Sequence, residues 1–106
     1  MPGYSAHVPK RIFTYEEAVA MLPDVQRITS EAVERARALD EDESEEAQAL
    51  LTEWADTIMS MGIEVKGLWL IDFDSGSGYY CWKYPETSLQ YFHGYEEGFG
   101  GRVGLN

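Results

Sequence analysis

The sequence predicts an α+β domain, in which an antiparallel helical hairpin packs on a three-stranded antiparallel β-meander. Three observations carry this. Apolar residues recur at steps of three and four, first from Ala18 to Leu39 and again from Ala47 to Met61. Past Gly62 that period ends, and "LWLIDF" (68–73) and "YYCWKY" (79–84) flank a "DSGSG" turn. Ten of the chain's 14 aromatic residues lie between Trp69 and Phe99, a density that suits strands.

Each element has its own signals. Residues 1–12 hold two prolines and no period, and read as a loose arm in which His7 has no assigned role. Thr14 and Glu17 form a T-x-x-E capping box at the start of the first helix. Ala18, Leu22, Val25, Thr29, Ala32, Ala36 and Leu39 make its stripe, widened by Val19, Ile28 and Val33. Pro23 removes one backbone donor, so a kink or two collinear segments is expected there, with the stripe continuing in register. The acidic turn "DEDESEE" (40–46) reads as a solvated loop, because it lacks the glycine and spacing of a calcium loop. Ser44 is the expected cap of the second helix, whose stripe is Ala47, Leu50 or Leu51, Trp54, Ile58 and Met61. Gly62 ends it. The hairpin thus spans 14–61, the meander 63–93 with "LQYFH" (89–93) as its third strand, and a glycine-rich tail 94–106.

A chain of 106 residues makes one domain. It exposes roughly 6,000 Å² when folded, which allows one modest core and no deep cofactor cavity. Nineteen acids against eight bases give a formal charge of −11, which repels phosphate backbones and anionic membrane surfaces. No apolar run approaches the roughly 20 residues of a membrane span, and no basic segment followed by an apolar one opens the sequence. Cys81 has no partner for an internal disulfide. A reduced, cytoplasmic location is the expectation.

Period-two geometry locates the chemistry. If Asp74 pairs with Tyr79 around a four-residue loop, Trp69, Ile71 and Phe73 lie opposite Tyr84, Trp82 and Tyr80, and this face meets the helices. The other face carries Leu70, Asp72, Cys81 and Lys83 toward solvent, with Asp72 opposite Cys81. Two registers are open for the third strand. Phe92 beside Trp82 puts His93 beside Cys81; Tyr91 in the core turns His93 inward. Phenylalanine is the more readily buried residue, which favours the first. An Asp72–Cys81–His93 row then permits an activated thiolate or a zinc site, against the plainer reading of a small buried thiol and an ion pair. Near the end, "YFHGYEEGFGGR" (91–102) adds Glu97 and Arg102. Arg102 either pairs with Glu97 or Glu86, or clamps an anionic ligand.

The order of these pieces resembles a small bacterial family, domain of unknown function 2203. The resemblance rests on "FTYEEAVAMLPDV" (13–25), "VKG" (65–67), "IDF" (71–73), "CW" (81–82), Glu86, His93 and "EGFGGR" (97–102). It marks Asp72, Cys81, Trp82, Glu86, His93, Glu97, Gly98, Phe99, Gly101 and Arg102 as motif positions and implies no activity. Pro85 stands where the family tends to place a glycine, and Gly94 where it tends to place an acid.

Three functional readings follow. The first is a small, acidic, non-enzymatic interaction module, a homodimer in which a second helical hairpin covers surplus apolar stripe. The second is a metal-binding protein or metal-dependent enzyme centred on His93, with Asp72, Cys81, Glu86 and Glu97 as further ligands and zinc or manganese as the ion. The third is a site for a small anionic or planar ligand, built from Arg102, Trp82, Tyr91 and Phe99. No catalytic residue is assigned.

Overall fold

The computed structural model describes residues 11–105, so all but the last two residues of the expected N-terminal arm, His7 included, lie outside the described part. Two helices are followed by five strands. Helix α1 is Tyr15–Arg37 and α2 is Ser44–Ser60; the strands are β1 (Glu64–Gly67), β2 (Leu70–Asp74), β3 (Tyr79–Lys83), β4 (Tyr91–His93) and β5 (Val103–Gly104), with a 3-10 turn at Phe99–Gly101. The sheet is an antiparallel meander in chain order.

Helix α1 starts as the capping box requires. Thr14 Oγ1 accepts from Glu17 N at 3.1 Å, and Glu17 Oε1 accepts from Thr14 N at 2.9 Å. The expected kink gives way to one helix running through Pro23. Proline costs the Val19 carbonyl its partner, but Val19 and Pro23 are both exposed, where water replaces a lost bond. Ala18, Leu22, Val25, Thr29, Ala32 and Val33 are buried, while Ala36 and Leu39 pack at the margin. Val19, read as part of the stripe, is 41% exposed. It is the one member of that stripe left largely uncovered.

Helix α2 begins one residue earlier than expected. Glu43 is the capping residue, without a side-chain bond to the helix, and Ser44 is its first helical residue. Gly62, at φ +84°, terminates it and turns the chain into buried Ile63.

The core lies between the helices and one face of the sheet. Leu22, Val25, Leu50, Trp54 and Ile58 meet Ile71, Phe73 and Trp82 there. Trp54 donates its indole N–H to Thr29 at 3.0 Å, so the two buried polar groups satisfy each other. Its ring stands edge-on to Trp69, with centroids 4.9 Å apart.

The β2–β3 register matches the expectation throughout: Asp74 faces Tyr79, Asp72 faces Cys81 and Ile71 faces Trp82. Several strand expectations need correction. Leu68 and Trp69 form the β1–β2 turn rather than strand, with Trp69 at φ +58°, although its ring still reaches the core. The sheet has five strands, not three. β1 precedes the turn, and β5 arises inside the tail, where Val103 pairs with Phe92. The third predicted strand, now β4, keeps the favoured facing but slides by two residues, so that Phe92 faces Tyr80, His93 faces Tyr79 and Tyr91 faces Cys81. The shift is enforced at Gly78. A Cβ there would lie 2.4 Å from Phe92 Cζ and 2.7 Å from the His93 carbonyl, so β4 closes directly onto the hairpin loop.

Candidate metal centre

The sheet face away from the helices carries Asp72 from β2, Cys81 from β3 and His93 from β4. It was expected to face water, yet Asp72 and Cys81 are each 1% exposed and His93 4%. The tail explains the difference. After His93 the chain turns back over this face, bringing Tyr95 and Arg102 onto it. Tyr79 is buried among Lys66, whose ammonium sits 4.1 Å from its ring centre, His93 and Tyr95. The result is a second, polar core.

At its centre His93 Nε2 lies 3.0 Å from Asp72 Oδ2, and His93 Nδ1 lies 2.9 Å from the Gly94 carbonyl. A carbonyl oxygen only accepts, so Nδ1 carries a proton. Nε2 of a neutral ring then turns a lone pair toward a carboxylate, which is stable only with a positive charge between or upon the two groups: a proton or a metal ion. Asp72 Oδ1 is buried with no nitrogen or oxygen partner. The Cys81 thiol leans on the same carboxylate. Donor atoms from Asp72, Cys81 and His93 all lie within 4.8 Å of one another.

Burial dominates the electrostatics. It raises Asp72 above the usual carboxylate range, opposed by His93, Cys81 and Lys66. Burial, and then the Asp72 charge, push the Cys81 thiol up to about 12. Such a thiol stays protonated near neutral pH and is a poor nucleophile unless a metal removes its proton. Burial pulls Lys66 down, but Glu64 and Tyr79 outweigh it and leave it raised; its ammonium lies 3.3 Å from Glu64 and 3.9 Å from Asp72.

The other singled-out residues have separate employments. Glu86 is a fastener: Oε1 accepts from Lys83 N at 2.9 Å, Oε2 from Arg102 at 2.8 Å, and its carbonyl from the Trp82 indole at 2.8 Å. Of the two partners foreseen for Arg102, the structure selects Glu86. The Arg102 guanidinium is sandwiched between Tyr91 and Phe99, at 3.9 and 4.0 Å from their ring centres. Trp82 lies on the opposite, core face and is 1% exposed, apart from those rings. Glu97 Oε1 accepts from Gly94 N at 2.8 Å instead of reaching the His93 cluster. Missed by sequence reasoning were Lys66 and Tyr79, whose only signal was the alternation that places them on the Asp72 face.

Among curated proteins and solved structures, none matches the chain significantly. A family model described as "Uncharacterized conserved protein (DUF2203)" matches residues 35–105, about two thirds of the chain. That span includes every strand, the polar core and the tail that closes it. The chain belongs to this uncharacterized family.

Proposed function

We propose that the chain is a metal-binding domain whose ion is held by Asp72, Cys81 and His93. The observation that carries this reading is the orientation of His93: Nδ1 is committed to a backbone carbonyl, so Nε2 is offered as a donor atom beside a carboxylate with an orphaned oxygen. Histidine ligands are commonly held this way. A sulfur, nitrogen and oxygen set favours zinc over manganese. Tetrahedral zinc places its donor atoms roughly 3.3–3.8 Å apart, so the His93–Asp72 pair at 3.0 Å opens slightly and any wider pair, none beyond 4.8 Å, closes. One carboxylate and one thiolate neutralise a divalent ion, and three protein donors leave one position for a non-protein ligand. The depth of the cluster suits an ion that ties β2, β3 and β4 together.

Elemental analysis of protein purified without an affinity tag is the first test. Cobalt substitution is the second: a Cys81–cobalt bond gives a thiolate charge-transfer band that Cys81→Ser abolishes. Zinc at a hundredfold excess over its dissociation constant adds about 2.7 kcal/mol of stability. No bound metal, no charge-transfer band and an unmoved Tm in zinc would leave Asp72–His93 as a proton-bridged pair and end this reading.

A further inference from the structure

The tail supplies more than a cover. Gly94 O accepts from His93 Nδ1 at 2.9 Å and from Glu97 N at 3.1 Å, so one carbonyl serves the imidazole and closes the 94–97 turn. The Glu97 carboxylate binds back to Gly94 N at 2.8 Å, closing the same turn from the other side. The Glu97 side chain has room because both neighbours are glycines. A Cβ on Gly94 would lie 3.1 Å from Glu97 Oε1, and one on Gly101 would lie 3.0 Å from Glu97 Cβ. Spacing that looked like a ligand motif is therefore a cradle for one carboxylate.

We propose that Glu97 is a positioning residue for His93. It fixes the turn that aims the Gly94 carbonyl at Nδ1, and so keeps Nε2 directed at Asp72 and Cys81. The inference deepens the metal reading and rests on it for its consequence, but its geometric content is independent of any ion.

The test separates the two. In metal-free protein, nitrogen-15 NMR of the His93 ring reports whether Nδ1 carries the proton. Wild type shows Nδ1–H; in Glu97→Ala the proton occupancy of Nδ1 falls. Glu97→Gln, whose amide oxygen still accepts from Gly94 N, restores Nδ1–H. Zinc affinity falls about 10- to 100-fold in Glu97→Ala, the usual cost of losing such a support, and recovers in Glu97→Gln. Gly101→Ala, which crowds Glu97 from its Cβ to its carboxylate carbon while leaving the carboxylate chemically intact, moves both readouts in the direction of Glu97→Ala and serves if that variant fails to fold. A wild type that binds no zinc but whose Nδ1 proton still depends on Glu97 upholds the positioning role while the metal reading falls. A Nδ1–H form that survives both Glu97→Ala and Gly101→Ala overturns the positioning role whatever the metal does.

Discussion

Cys81 shows how one residue's chemistry depends on what covers it. With its pKa raised from 9.0 to about 12, the folded thiol keeps its proton where the unfolded thiol has lost it. The native state therefore binds more protons between those values, and stability falls as pH rises through that window. Metal-free wild type should lose stability relative to Cys81→Ala between about pH 9 and 12, with a slope approaching 1.4 kcal/mol per pH unit. Denaturant melts across that range check this; parallel curves for the two proteins would show that the thiol is not shielded. A second residue-level prediction concerns Trp54→Phe. It leaves the Thr29 hydroxyl without its buried donor and should cost about 1–3 kcal/mol, measured by urea titration. The Asp72–Cys81 juxtaposition was legible in advance because a four-residue loop between Asp74 and Tyr79 fixes the register of everything above it. His93 was legible in facing but not in position. Its strand is reached through residues 84–90, whose path is set by Glu86's bonds to Lys83, Arg102 and Trp82, and no local turn rule encodes those.

Among the elements, α1 bears its proline without breaking. The helix tolerates Pro23 at an exposed site, but tolerance is not neutrality. Pro23→Ala restores a backbone donor and removes the ring's conflict with the preceding turn, and should stabilise the protein by about 1–3 kcal/mol in thermal or denaturant unfolding. Thr14→Ala acts oppositely at the same helix. It removes the acceptor for Glu17 N and should cost about 1 kcal/mol. Both helices were readable because a 3.6-residue period sustained over several turns is a strong signal. The two outer strands were not. β1 has four residues, half of them exposed, and β5 has two, one a glycine, too short for alternation to register. They exist because their neighbours offer unpaired backbone groups: β5 and Leu105 N, which donates to the Gln90 carbonyl at 2.8 Å, complete the edge of β4.

For the molecule as a whole, the sheet is buried on both faces by different means. One face takes the helices and an apolar core; the other takes its own tail and a network of Asp72, Cys81, His93, Tyr79 and Lys66. Charge of −11 and a layered α+β pattern were plain in the composition, but the second layer was not, because a segment of glycines and acids gives no hydrophobic signal. Ending the chain after Gly94 should therefore do more than shorten it. It removes the Arg102 stack, the Tyr95 bond to Asp74 and all of β5, and should open the Asp72 face to water. The truncated protein should unfold at lower denaturant, and its Cys81 should react with thiol reagents under native conditions while the full chain resists. An unreactive Cys81 in the truncated chain would show that the tail is not what seals this face.

The tight seat of Phe92 and the His93 carbonyl against Gly78 carries a practical corollary. Gly78 is the buried end of a hairpin loop whose tip, Gly76 and Ser77, is exposed, so a tag, a label or an alanine placed one residue too far along presses on the strand that carries the imidazole. A bulge introduced there would travel along β4 as a displaced ring, and a change read at His93 would be traced to the wrong end of the strand.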